Sequence, residues 1–194
     1  MTSPIRPETE RSIRFMIDAA ASRFTVKAFA GGLLSALAHN PTIAVREFSG
    51  EARVDLAELE RSSLVVTANA DSLTVIGDVP DKDRPEVERA MHEDVLQSQR
   101  FPEIIYECSR VSASKTGDGL YWASLNGELS LHGITRNQVI PARIFVDETS
   151  LKASGEFSLR QSDYQIKLVS AAGGTIKVKD ELKFSFELVA RRQD

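Results

Sequence analysis

The sequence predicts a mainly β protein, an antiparallel barrel or sandwich with one amphipathic helix and a second, short helical segment. About eight stretches alternate apolar and polar residues, which is typical of strands whose side chains point to opposite faces of a sheet. One stretch instead repeats its apolar residues at helical spacing, and no regular strand–helix–strand rhythm is present. Short connections between the alternating stretches favour antiparallel pairing, because parallel strands need long crossover connections.

The size and composition suit one globular domain. A chain of 194 residues, 42% hydrophobic and 27% charged, is long enough to bury a core. We expect residues 1–12 to be a disordered tail, residues 13–190 to form the domain and residues 191–194 to be a second tail. A formal net charge of −4 provides no general attraction to nucleic acids or anionic membranes.

The N-terminal residues bear on the expected location of the protein. They carry charges where a signal peptide needs an apolar run, and no stretch of the chain reaches the roughly 18 apolar residues of a membrane span. We therefore expect a cytoplasmic protein, or a periplasmic one if a leader has been removed. The single cysteine, Cys108, allows no intramolecular disulfide and is expected to be a small buried side chain.

Two strands and a short helix are predicted near the start of the chain. Residues 13–17 and 23–30 alternate, the second stretch with Phe24 and Val26 on its apolar face. After a pair of glycines, three leucines follow at helical spacing, ahead of an Asn-Pro stop: Leu33, Leu34 and Leu37. This short helix is either a plug that packs one end of the barrel or a lid at a ligand entrance.

The middle of the chain predicts a strand pair and the amphipathic helix. Residues 48–56 and 63–70 alternate and are joined by a short connection. Residues 81–100 then change to helical spacing, where Asp83 and Glu86 resemble a capping box. The apolar stripe of this helix consists of Val87, Ala90, Met91 and Val95.

The second half of the chain predicts further strands. Residues 104–108, 120–131, 139–146, 151–159 and 176–190 alternate. In the second of these, Trp122 falls on the polar face. Pro141 blurs the third, and because proline cannot donate to a ladder we expect it at an edge or a bulge.

Several motifs resemble those of the YceI-like family. The family signature G-x-L-x-L-x-G-[IV]-T-[KR] is matched by Gly127, Leu129, Leu131, Gly133, Ile134, Thr135 and Arg136. The helix is followed by Phe-Pro-Glu-Ile at 101–104, as in the family, and an R-x-D-[FY]-x-I motif is matched, one residue out of register, by Arg160, Asp163, Tyr164 and Ile166. A family His-Ser pair is replaced by Ala21-Ser22, so no role is carried over for that histidine.

The resemblance covers residues 13–190 and implies a fold and a function. It implies a single lipocalin-like antiparallel barrel that holds an isoprenoid, quinone-like or fatty chain without catalysing a reaction. It also implies a possible homodimer. The alternative from the residues alone is a protein-interaction module whose barrel is packed solid and holds no ligand.

Residue sizes favour a hollow barrel over a sandwich. Small residues recur in mid-strand on the apolar faces, namely Gly50, Ala52, Ala123, Gly127, Ala153 and Gly155. This pattern predicts an apolar tunnel, although strand glycines also permit the coiling that barrel closure needs. Burial of ten ligand carbons in such a tunnel would contribute about 8 kcal/mol before ordering costs. We expect phenylalanine at Gly155 or Ala123 to block the tunnel while the fold survives.

The expected ligand-binding residues follow from the apolar faces. They are Phe24, Val26, Leu34, Leu37, Phe48, Ala52, Val54, Val66, Met91, Tyr106, Tyr121, Ala123, Leu125, Leu129, Ala153, Gly155, Phe157, Tyr164, Phe184 and Phe186. The three tyrosines among them are candidates for polar groups at the tunnel mouth. No cofactor is expected besides the bound apolar molecule.

Catalytic and metal-binding signatures are weak in this sequence. The three histidines, His39, His92 and His132, show no ligand spacing of two or four residues. There is no G-x-S-x-G elbow and no glycine-rich phosphate loop. We therefore predict that the protein is not an enzyme and holds no metal.

Overall fold

The structure is a computed structural model that describes residues 12–31, 40–77, 79–171 and 176–193. Fourteen strands lie in these ranges: β1 (Ser12–Ile17), β2 (Arg23–Lys27), β3 (Ala30–Gly31), β4 (Thr42–Val45), β5 (Phe48–Asp55), β6 (Ser63–Asn69), β7 (Leu73–Gly77), β8 (Glu103–Gly117), β9 (Leu120–Leu131), β10 (Ile134–Val146), β11 (Ser150–Arg160), β12 (Ser170–Ala171), β13 (Ile176–Val178) and β14 (Glu181–Arg192). The helix α1 (Arg84–Ala90) continues directly into a π-helical segment (Met91–Val95). None of the helices in these ranges has the length and hydrophobicity of a membrane span.

Eight of the strands form a closed antiparallel ring. Its order is β1, β5, β6, β8, β9, β10, β11 and β14, and β14 pairs back to β1. The alternating sequence produces this arrangement because each strand buries one face and short connections join four of the eight neighbouring pairs. The predicted barrel and amphipathic helix are confirmed. The predicted short helix at Leu33, Leu34 and Leu37 lies outside the described residues.

β14 shares one of its edges between two partners. Its last residues pair with β1, as in Ile17 opposite Ala190, whereas its earlier residues pair with β2, as in Phe24 opposite Phe186. β2 then pairs with β4, and β4 pairs with β7. The β2–β4–β7 sheet therefore continues the barrel wall at one end, where β1 has already stopped.

The barrel interior is divided into two apolar regions. A small cluster fills one end: Phe15, Ala52, Val54, Val146 and Ala190, with Tyr121 and Leu151 packed against it. Phe15 at its centre is completely buried. A larger cluster surrounds the other end, beneath the helix. The first end is thus packed solid, and any space for a ligand lies toward the second.

The helix is shorter than the sequence predicts. The apolar stripe faces the barrel, but the helix ends at Val95 instead of near residue 100, because Gln97 adopts a left-handed conformation with φ of 48°. Asp83 stands at the N-cap position without a side-chain hydrogen bond, so the predicted capping box does not form. Glu88 instead fastens the helix to the sheet by accepting a 2.8 Å hydrogen bond from the Val75 amide.

β10 and β11 pair along only part of their length. β10 pairs with β9 from Ile134 to Phe145, but its ladder with β11 covers only Arg143–Val146. Pro141 lies just beyond this ladder, where its missing N–H cannot bond to β11. This agrees with the expectation that Pro141 lies at a strand edge. Here the edge is an unpaired stretch between two neighbouring strands of the barrel.

The turn between β10 and β11 provides a prediction for pH dependence. Asp147 accepts hydrogen bonds from the amides of Thr149 at 2.7 Å and Ser150 at 2.8 Å, and these bonds lower the pKa of its carboxyl group. Because the folded pKa lies below the unfolded value, this stabilisation is present above about pH 4 and is lost as the pH falls through the folded pKa. We expect Asp147→Asn to lower the free energy of unfolding at pH 7, with the difference from wild type shrinking toward pH 3.

Urea unfolding across this pH range measures the effect. Glu148→Gln is the control, since it removes the neighbouring negative charge and leaves the Asp147 hydrogen bonds in place. A difference for Asp147→Asn that stayed constant down to pH 3 would show that the ionised carboxylate is not the stabilising species.

Candidate functional site

An apolar cavity of about 530 Å³ lies between the helix and the unpacked end of the barrel. The helix contributes its whole predicted stripe to the lining: Val87, Ala90, Met91 and Val95. Polar side chains among the described lining residues are few, namely Asp83, Tyr106, Gln161 and Lys177. A cavity of this size and polarity is typical of sites for small apolar molecules.

Eleven of the predicted ligand-binding residues line the cavity. They are Phe24, Val26, Val66, Met91, Tyr106, Leu125, Leu129, Ala153, Phe157, Phe184 and Phe186. Apart from Met91, which lies in the helix, they are on strands that stand side by side in the ring or continue it, so alternation turns these side chains to a common interior. Four of them form a chain of aromatic contacts, in which Phe157 stacks on Phe184 at 4.7 Å and Phe24 contacts Phe184 and Phe186.

Seven other predicted residues lie outside the cavity lining. Ala52, Val54 and Tyr121 belong to or pack against the solid cluster around Phe15. Phe48 is a neighbour of the cavity and meets Phe24 edge-on, with ring centroids 6.3 Å apart. The other three are Ala123, Gly155 and Tyr164, which are packed into the wall. Leu34 and Leu37 lie outside the described residues.

Of the small residues in mid-strand, Ala153 lines the cavity as predicted, but the glycines have a different role. A Cβ atom at Gly127 would lie 2.8 Å from the ring of Tyr106, and one at Gly155 would lie 2.8 Å from the ring of Phe186. Each glycine is therefore covered by a neighbouring aromatic side chain, an arrangement known to stabilise strand glycines. The expectation that Gly155→Phe leaves the fold intact is wrong, because its Cβ would also lie 2.3 Å from the Pro141 carbonyl oxygen. Ala123 is likewise only 7% exposed, within the core and not at the cavity surface.

Tyr106 ties three strands together at the cavity wall. Its hydroxyl lies within hydrogen-bonding distance of two carbonyl oxygens to which it can donate, those of Leu125 at 2.8 Å and Gln138 at 3.1 Å. Burial raises the pKa of this phenol, and burial also raises the pKa of the adjacent Cys108 thiol. Both groups are neutral at pH 7, so this part of the wall carries no charge.

Removing the Tyr106 hydroxyl tests whether it stabilises the cavity wall or contacts a ligand. We expect Tyr106→Phe to lower the free energy of unfolding by about 1 kcal/mol, because the hydroxyl bonds to carbonyls and not to a ligand. Affinity for an apolar ligand should change less than twofold. Chemical denaturation and ligand titration of the same variant measure the two quantities, and a large loss of affinity at unchanged stability would place the hydroxyl on the ligand.

A second, polar pocket of about 320 Å³ lies where β10 and β11 are unpaired, and we call it the seam pocket. It is lined by Arg136, Asn137, Gln138, Ser158, Leu159, Arg160, Asp163, Tyr164 and Glu181. Tyr164, predicted to bind ligand, is buried beside this pocket in a short 3₁₀ turn (Gln161–Tyr164). The Arg136 Nε atom donates to the Asp163 carbonyl oxygen at 2.9 Å and holds that turn against β10.

The described histidines have structural neighbours. The His132 Nδ1 atom lies 3.1 Å from the Tyr164 carbonyl oxygen, and its ring lies 4.5 Å from that of Phe101. His92 lies at the helix, with Nδ1 3.8 Å from a carboxylate oxygen of Asp71. No cluster of three potential metal ligands occurs within the described ranges. His39 falls outside them.

Several cavity residues were not predicted from the sequence. Ile43 and Val45 come from β4, a strand of four residues that is too short to show clear alternation. Gln161 and Ile166 come from the turn after β11, where no strand or helix period is present. By contrast, the helical stripe already indicated Val87 and Val95, since an apolar helix face must cover something.

Comparison with known proteins agrees with this architecture. The YceI-like domain family matches residues 15–190. Two solved structures are similar along almost their whole length. The first is Burkholderia cenocepacia BcnA, with a TM-score of 0.65 at 17% identity over 89% of this chain and 98% of that one. The second is a polyisoprenoid-binding domain from Saccharophagus degradans implicated in plant cell wall breakdown, with a TM-score of 0.64 at 11% identity over 93% of this chain and 99% of that one.

A third similar structure is a YceI protein from Campylobacter jejuni, with a TM-score of 0.55 at 16% identity over 78% of this chain and 85% of that one. At these identities the structural likeness establishes the fold alone. No curated protein sequence matches the chain significantly.

Proposed function

The chain belongs to the YceI-like family, and from this premise we propose that it binds and carries a long apolar molecule, an isoprenoid, quinone-like or fatty chain, in the barrel cavity. The single observation that carries the proposal is the 530 Å³ cavity beneath the helix, with its nearly all-apolar lining. Such a lining excludes ions and polar metabolites, because their desolvation would not be compensated. It favours hydrocarbon, whose burial is favourable without any directed contact.

The composition of the cavity walls also supports an apolar chain as the ligand. Aromatic rings of β2, β11 and β14 form one wall, and aliphatic side chains of β8, β9 and the helix form the other. Each CH₂ group buried between these walls contributes about 0.8 kcal/mol, so affinity rises with chain length until the cavity is filled. The solid-barrel alternative requires an interior without free space, and the cavity argues against it.

A relative's ligand gives the proposal its chemical class. The Saccharophagus degradans structure is of a polyisoprenoid-binding domain. Branched isoprenoid chains and straight fatty chains both fit an apolar tube, so the two classes must be separated by experiment.

Organic extraction of the purified protein followed by mass spectrometry tests the proposal. We expect a stoichiometric apolar molecule, and we expect the stripped protein to bind geranylgeraniol and palmitic acid with different affinities. A well-folded protein that yields no lipid and binds neither probe would contradict the proposal.

A further inference from the structure

The gap between β10 and β11 interrupts an otherwise closed wall. Both strands continue beyond their shared ladder, β10 on β9 back to Ile134 and β11 on β14 forward to Arg160. Between them the ladder ends at Arg143 opposite Ser154. Pro141, which has no N–H, lies next to Gly155 and makes further pairing unfavourable.

The seam pocket passes through the wall at this gap. On β10, Gln138 belongs to the same alternating set as buried Ile140 and Ala142, so its side chain belongs to the interior face. On β11, Ser158 and Arg160 belong to the opposite, exterior set. A pocket lined by both sets connects the outside of the barrel with its interior face.

Among the described residues, one side chain borders both the seam pocket and the apolar cavity. Leu159 lines both spaces and is only 6% exposed. If the chain of a bound molecule fills the cavity, its polar end can extend past Leu159 into the seam pocket. There the polar end would meet hydrogen-bonding groups, whereas the chain would stay among apolar side chains.

The charges of the seam pocket are balanced. Arg136 and Arg160 are cationic, and Asp163 and Glu181 are anionic. An added phosphate or carboxylate would be attracted by the first pair and repelled by the second, so the pocket provides no net preference for an anion. Its amide and hydroxyl groups, by contrast, offer both donors and acceptors to an uncharged oxygen.

We propose that the seam pocket holds the polar end of the bound molecule and that this end is an uncharged hydroxyl or carbonyl group. The inference rests on the proposed function, because it assigns the head group of a ligand whose chain lies in the cavity. Gln138 is the residue that we assign to that head group: its Nε2 atom donates to the Val139 carbonyl oxygen at 3.1 Å, which leaves its Oε1 atom and its second N–H for the ligand.

A matched series of probes tests the inference on the full-length protein. Dodecane, dodecan-1-ol and dodecyl phosphate share one chain and differ only at the end, and their affinities are measured by displacement of a fluorescent fatty-acid analogue. We expect the alcohol to bind about fivefold more tightly than the hydrocarbon, and the phosphate to have no advantage over the alcohol. Gln138→Leu should remove the alcohol's advantage over the hydrocarbon.

Asn126→Leu is the matched control, because it makes the same amide-to-leucine change on β9, outside both pockets. It should leave all three affinities as in wild type. Equal affinities for dodecane and dodecanol in wild type, or an alcohol advantage that survives Gln138→Leu, would overturn the inference and leave the proposed function standing. A clear preference for the phosphate would overturn the uncharged head group. Failure of every probe to bind would overturn the proposed function itself.

Discussion

Gly127→Ala is expected to lower the free energy of unfolding by about 3 kcal/mol, the upper range for overpacking of a tightly packed site. The added Cβ would lie 2.3 Å from the carbonyl oxygen of Glu107 and 2.9 Å from Cα of Cys108. Both are backbone atoms of the paired strand β8, so β8 and β9 must separate locally to admit the methyl group. The Tyr106 ring, 2.8 Å from the same position, would also be displaced from its two carbonyl partners.

Gly77→Ala is the matched control for this substitution. Gly77 also lies in a strand, but no atom lies within 4 Å of the position of its Cβ. We expect its free energy of unfolding to change by less than about 0.5 kcal/mol, as is usual for substitutions away from packed features. Urea denaturation measures both variants. Equal effects at the two glycines would show that strand propensity, and not the Tyr106 contact, decides the cost.

Ala153→Phe is expected to weaken binding of a long-chain ligand about a hundredfold. Ala153 lines the cavity between Ile144 and Leu188 of the neighbouring strands. A benzyl group there would take the space of about four ligand carbons, and losing about 0.8 kcal/mol for each removes about 3 kcal/mol of binding free energy. The fold should survive, because the ring enters free space and not packed atoms.

Lys152→Phe is the control, since the adjacent side chain is exposed on the outer face of the same strand. It should bind the ligand as wild type does. Fluorescent-probe titration gives the affinities, and circular dichroism with thermal unfolding establishes that both variants are folded. Unchanged affinity in Ala153→Phe would mean that the ligand does not extend to this depth of the barrel.

Alternation alone was enough to predict the strands and most of one cavity wall, whereas the choice of a barrel over a sandwich rested on residue sizes and on the family resemblance. The long strands β9, β11 and β14 repeat their apolar residues over nine or more positions, so their inward faces are unambiguous. Trp122, which alternation placed among the polar residues, is 55% exposed and lies beneath the guanidinium of Arg143. In each of these long strands only one face is apolar, and the structure turns that face toward the barrel interior as predicted.

The depth of the cavity was not readable from the sequence. Alternation assigns Ala52 and Ala153 to the same interior, yet one is packed against Phe15 and the other faces free space. The difference depends on how far each residue lies along the barrel axis, which is set by strand stagger and not by local pattern. In the same way, the missing side chain of Gly155 predicts free space at this position. In the structure that space is filled by the ring of Phe186 on β14, 31 residues further along the chain.

The shared edge of β14 has a consequence for how the protein opens. Separating β2 from β14 would break the short ladder between Arg23–Lys27 and its partners, together with the two-residue ladder of β3 and β13, while all eight ring strands kept both of their neighbours. The β2–β4–β7 sheet and the helix fastened to it by Glu88 are therefore able to swing aside as one unit at a fraction of the global unfolding free energy. In native-state hydrogen–deuterium exchange, the amides of β4 and β7 should exchange well before those of β9, and a saturating ligand should slow β4 and β7 most. Uniform exchange across both sets would mean that entry of the proposed ligand requires the ring itself to come apart.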